Sequence, residues 1–133
     1  MTTRWTINDE VTCVQVMPAS RVADATPVLS TDFDVRAYAP GSRFLLVLSS
    51  HETNAGNTGG TWTVTESATD GGEYTTATTD GSLAVTGAAT DVQRVVAVKP
   101  NPAKPFVLVT FTGADANAEV DVTATLVVLP RVM

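Results

Sequence analysis

Cysteine and histidine occur once each in this chain of 133 residues, as Cys13 and His51, and that scarcity closes off several chemistries. A lone cysteine forms no intrachain disulfide, so stability has to come from packing. Its setting, Val11-Thr12-Cys13-Val14-Gln15-Val16, reads as a strand in which the thiol serves as a small buried apolar residue rather than as a nucleophile. One cysteine and one histidine do not make the Cys/His set of a structural zinc site, and no metal or cofactor is expected. Any Ser-His or Cys-His catalysis would have to use His51. Its neighbours Ser49 and Ser50 lie at a strand end, where successive side chains point to opposite faces, and His51 reads as an exposed loop residue.

Positive charge is also scarce. Eight Lys and Arg stand against 14 Asp and Glu, a formal net of −6 with no basic run, which argues against nucleic acid as a partner. The apolar runs are short: Phe44 to Leu48 and Leu126 to Leu129 fall far below the roughly 20 residues of a membrane-crossing helix, and no membrane association is expected. Acidic Asp9 and Glu10 arrive before any apolar segment of signal-peptide length, so the chain is expected to be made and used without Sec export. Gly56, Gly59 and Gly60 lack the Lys-Ser/Thr ending of a phosphate-binding loop.

What the chain has in quantity is threonine and valine, in two-residue alternation. In Thr61-Trp62-Thr63-Val64-Thr65-Glu66 the residues Trp62 and Val64 share one face and the threonines the other, which makes Trp62 a core residue. The same period runs from Glu119 to Leu129, with Val120, Val122, Ala124, Leu126 and Val128 on one side. Further strands are expected at 11–17, 33–36, 44–49, 73–78, 83–86, 92–98 and 106–112, bounded by turn residues. Asp70-Gly71-Gly72 and Asp80-Gly81 supply hairpin turns. Lys99 to Pro105, with Pro100, Pro102 and Pro105, reads as a stiff connection that cannot be a central strand. With 44% hydrophobic and 17% charged residues the chain packs a core, and the expectation is an all-β fold: a single antiparallel β-sandwich or jelly roll of about eight to nine short strands. It spans residues 1–133 as one domain, with 1–10 as a terminal arm.

Chemistry beyond the fold is thin. Glu66, Asp70, Glu73 and Asp80 cluster in sequence, but on a wet strand face or in turns, where solvated acids keep ordinary pKa values and do not serve as a general acid near neutrality. Asp70-Gly71-Gly72-Glu73 lacks the alternating ligands of a calcium loop and reads as a turn. What remains is surface. Trp5 and Ile7 near the start, the loop from His51 to Gly60 with Asn54 and Asn57, and Arg131 near the end are the interface candidates; for Trp5, packing into its own core is an equal alternative. The aromatics Trp5, Tyr38, Trp62 and Tyr74 are the available platforms if the domain binds carbohydrate.

The stretch from Trp62 to Tyr74, with its strand, Glu66-Ser67, Asp70 turn and closing aromatic, resembles the small auxiliary head proteins of tailed bacteriophages. Ala88 to Val95 looks like their middle strand, Lys104 to Phe111 like their strand opened by a lysine, and Val120 to Arg131 like the closing strand with its Leu-Pro-Arg end. The resemblance implies a compact, noncatalytic viral structural protein. It would sit on the outer capsid surface of the virion, assembled in the host cytoplasm as a homo-oligomer, most often a trimer, and cement neighbouring subunits of the major capsid protein. It carries over no catalytic residue. A tail-tube or head-tail connector subunit and a carbohydrate-binding module are the alternatives. The acidic balance agrees with a place outside the DNA-filled interior. If residues 1–7 and 51–60 are the docking elements, their amides gain hydrogen-exchange protection when the free protein joins an assembled particle; equal protection in both states would remove them from that role.

Overall fold

The computed structural model describes residues 11–52, 56–80, 83–86 and 91–130. Among the described residues ten strands follow in chain order: β1 (Thr12–Val22), β2 (Val28–Leu29), β3 (Phe33–Asp34), β4 (Arg43–Glu52), β5 (Gly59–Ser67), β6 (Thr75–Thr76), β7 (Ala84–Thr86), β8 (Val92–Val98), β9 (Phe106–Gly113) and β10 (Val120–Leu129). They form two antiparallel sheets. Sheet A has the order β1-β10-β4-β8, and sheet B the order β2-β9-β5-β6, with β3 also on β9 and β7 also on β5. The two sheets pack face to face as an antiparallel β-sandwich, as the alternation in the sequence requires.

Alternation decides the core. From sheet A, Met17, Phe44, Leu46, Leu48, Val96, Val122 and Leu126 point inward, and from sheet B Trp62, Val64, Val107, Val109 and Phe111 meet them. Trp62 and Phe111 are cross-strand partners whose rings contact edge to face, with centroids 5.0 Å apart and planes at 71°. The pair fits only because its neighbour is glycine: a Cβ on Gly60 would lie 2.4 Å from the Thr112 carbonyl oxygen and 2.6 Å from the Phe111 ring.

Several boundaries differ from the sequence reading, each for a local reason. β1 runs on to Val22 rather than stopping at Met17, because it is an edge strand. Register shifts between Gln15 and Met17 and between Met17 and Ser20 carry it past Pro18. The expected strand 33–36 ends at Asp34, whose carboxylate accepts the Arg36 amide at 2.8 Å and starts a short 3-10 turn over Val35–Ala37. Strand 73–78 shrinks to Thr75–Thr76. The Asp70-Gly71 turn is present, with Gly71 at φ 68°, and the proline-rich segment connects β8 of sheet A to β9 of sheet B as a link between layers. No helix among the described residues is long and apolar enough to cross a membrane.

Replacing Trp62 by Ala is expected to lower the free energy of unfolding by about 3–5 kcal/mol, the usual cost of emptying a buried aromatic site. Gly60→Ala should cost about 1–3 kcal/mol through overpacking, whereas Thr63→Ala on the outer face should stay within about 0.5 kcal/mol. Urea unfolding of the three variants checks the order.

Candidate functional site

The two sheets differ in what they show to solvent. On sheet B the outward positions of β5 and β9 pair Thr61 with Thr112, Thr63 with Thr110 and Thr65 with Leu108, and Leu29 of β2 stands outward beside Thr110. That face is mainly threonine with scattered apolar residues, as antiparallel sandwiches commonly show to solvent. Sheet A departs from this pattern. Its outward rows set Leu45 between Val127 and Ala97, and Val47 between Thr125 and Val95, with Leu129 beside Arg43. Val95 keeps 59% of its surface exposed. Cys13 extends the Leu45 row from β1, opposite Val127, and is exposed. The expectation of a buried thiol is therefore corrected: Cys13 is in a strand, but the register turns it outward.

Toward the other end the same face becomes polar. Ser49 lies between Thr123 and Gln93, and the last row reads Arg21, Asp121, His51 and Asp91 across β1, β10, β4 and the start of β8. Basic and acidic groups alternate in this row. Arg21 Nε donates to Asp121 Oδ1 at 2.8 Å, and His51 Nδ1 is hydrogen-bonded to Asp91 Oδ1. A groove of about 410 Å³ lies over this end, lined by Ala19, Ser49, His51, Gln93, Asp121 and Thr123 among others. The hydrogen bond to Asp91 raises the pKa of His51 above its ordinary value. The charges of Asp91 and Asp121 add to the rise, while slight desolvation and Arg21 oppose it.

The arrangement joins the imidazole to a carboxylate but not to a serine. The Ser49 hydroxyl accepts from the Gln93 amide at 3.4 Å, and Ser50 points inward, 4% exposed, with its hydroxyl donating to the Val92 carbonyl at 3.4 Å. Among the described residues no three His, Cys, Asp or Glu side chains converge as a metal-binding group.

Of the interface residues expected from sequence, Trp5, Ile7, Asn54 and Arg131 lie outside the described residues. His51 is on the exposed face of β4, at the end of a strand rather than in a loop. Asn57 is a correction: it is buried, 4% exposed, and its side-chain oxygen accepts the amides of Gly59 at 2.8 Å and Glu119 at 3.1 Å. It pins the chain entering β5 to the start of β10 and is not a docking group of an open loop. An asparagine two residues before a glycine is the pattern of an Asx turn, and that was the signal for it. Thr58 adds a second tie, donating to Asp115 at 2.7 Å and holding that carboxyl below the usual carboxylate range.

Glu66 is a further correction. Expected on a wet face, it is 7% exposed, because its even number places it on the inward side with Trp62 and Val64. Its carboxylate accepts from Asn101 at 3.4 Å beside the proline-rich link. Asp70 does stand in its turn, where the hydrogen bond to Asp32 raises its pKa. The Tyr74 hydroxyl also bonds Asp32, and Tyr38 packs half-buried and edge-on against Phe44 with ring centroids 5.7 Å apart. Neither tyrosine is a free platform.

No family model matches the chain, and no curated protein sequence matches it.

The raised pKa of His51 sets a direction for pH dependence. Stability from the pair with Asp91 is fully present below the unfolded-state value of about 6.5 and is lost as pH rises through the higher folded value. Asp91→Asn should return His51 toward about 6.5. Proton NMR of the sole imidazole across pH 5 to 9 measures this, and an unchanged midpoint would contradict the pairing.

Proposed function

We propose that this chain is a noncatalytic structural protein that decorates the outer surface of a tailed-phage icosahedral capsid and stabilises it by bridging major capsid protein subunits. One observation carries the reading: the outer face of sheet A sets Leu45, Val47, Val95, Val127 and Leu129 side by side across β10, β4 and β8, a more continuous apolar patch than the outer face of sheet B, where Leu108 and Leu29 stand among threonines. A contiguous apolar sheet face is a surface for joining protein to protein. Its flat shape and its cross-strand charge row suit a broad, orienting contact, as the cementing role requires. The resemblance of the Trp62 to Arg131 region to auxiliary head proteins supplies the partner, and the net charge of −6 favours the exterior of a DNA-filled shell. Many copies on a symmetric lattice would hold firmly through individually modest contacts, since docking of one protomer raises the effective concentration of the next.

The engaged state of Tyr38 and Tyr74 weighs against carbohydrate binding through stacked aromatics. A tail-axis role differs in copy number, with rings of six or twelve in place of hundreds on the shell.

Heads assembled without this chain and then mixed with it should take up copies at regular lattice positions in electron micrographs and become more resistant to heat. Val47→Lys with Val95→Lys should weaken uptake by at least about tenfold, since each valine contributes roughly 1.5–3 kcal/mol when covered. Heads that take up no copies would overturn the capsid role.

A further inference from the structure

Which protein covers sheet A can be argued from the distribution of charge on it. The inference rests on the reading of that face as a docking surface. We propose that in the free protein, before a capsid takes its place, this face is covered by the same face of a second copy, the two related by a two-fold axis that lies across the strands.

The first argument is the balance of charge. Two molecules of net −6 repel one another at most orientations. The exposed acids Asp24, Asp70, Glu73 and Asp115 lie in turns and connections away from the outward rows of sheet A, and Asp80 stands at its β8 edge with its carboxylate accepting the Ala97 amide. On those rows Arg21 and Arg43 stand against Asp91 and Asp121, with His51 between the acids. This face is the place where one copy meets another without opposing a negative field, and it is also the apolar one.

The second argument is polarity along the strands. Arg43 occupies one end of β4 and His51 the other, flanked by Asp121 on β10 and Asp91 beside it. A two-fold axis along the strands would set Arg43 against Arg43. An axis across them sets each Arg43 over the acidic end of the other copy, twice per dimer, and brings Val47 and Val95 of both copies together near the axis. Such an isologous contact closes on itself. Asp91 is open to it, since its side chain is 79% exposed and among the described residues bonds His51.

The third argument is area. Four strands about 4.8 Å apart and the span from Arg43 to His51 at about 3.4 Å per residue make a face of roughly 500 Å² per copy. The pair then covers about 1,000 Å², the lower bound of a specific interface.

Sedimentation equilibrium of the full chain tests the pairing. A dimer is expected at tens of micromolar. Val47→Lys should make it monomeric with an unchanged circular dichroism spectrum. Arg43→Glu and Asp91→Arg should each weaken association by about tenfold, and the two together should recover most of the loss, as paired charges do in a double-mutant cycle. A monomer at all concentrations overturns the proposal, whether the face stays bare or the chain's own first ten residues occupy it. So does a dimer or trimer indifferent to Val47→Lys and Arg43→Glu. Failure of the pairing is distinguishable from failure of the docking reading. A monomer that coats heads through Val47 and Val95 removes only the pairing, and a dimer that never binds heads removes only the capsid role.

Discussion

Everything in this structure depends on one constraint: the long strands must keep their two-residue register across both sheets, so that one side of each is sealed between the layers. Trp62 and Phe111 from sheet B meet Met17, Leu46, Leu48 and Leu126 from sheet A in that seal, and all six are nearly inaccessible to solvent. A slip of one residue in β4 or β10 would move Leu46 or Leu126 into water. Because the inner side is this strongly specified, the outer side follows without freedom. Leu45, Val47 and Val127 are outward because Leu46, Leu48 and Leu126 are inward.

That coupling explains the unequal outer faces. β5 and β9 alternate so that most of their outward positions are threonine, with Leu108 the exception between Thr110 and the strand's start, and sheet B shows a largely polar face. β4 and β10 carry continuous apolar runs, Phe44 to Leu48 and Leu126 to Leu129, which fill the core and still leave leucine and valine for the other side. Those strands are central in sheet A, so the surplus falls in the middle of the face, while polar and charged residues gather toward one end. The edges are managed separately. β1 is bulged, and its Val16 carbonyl receives the Thr31 amide at 2.9 Å. On the far edge, the Asp80 amide reaches the Ala97 carbonyl at 3.1 Å and covers part of β8. With its edges partly occupied, sheet A presents its outer face, rather than an open strand edge, to solvent.

The antiparallel β-sandwich, the burial of Trp62, the turn at Gly71 and the role of the proline-rich link were all legible in the order of residues. Each follows from alternation or from the allowed backbone angles of single residues, which are properties of neighbours in the chain. The same alternation held the inward direction of Glu66, which its neighbouring acids in sequence disguised. The short strands β2 and β3 carried too few residues for any period to show.

What tertiary structure alone decided is the identity of the face. Whether an apolar residue on the outward side matters depends on who stands beside it, and the partners of Val47, Thr125 and Val95, come from segments of the chain far apart in sequence. Cys13 is exposed, and Asn57 holds Glu119, for the same reason: strand pairing fixes which side a residue occupies and what it reaches. Local pattern determined that the chain would form two layers with an apolar interior. The order β1-β10-β4-β8 then decided that the surplus apolar residues and the row Arg21, Asp121, His51, Asp91 would share one surface, because cross-strand neighbours are set by long-range hydrogen bonding that no short stretch of sequence encodes.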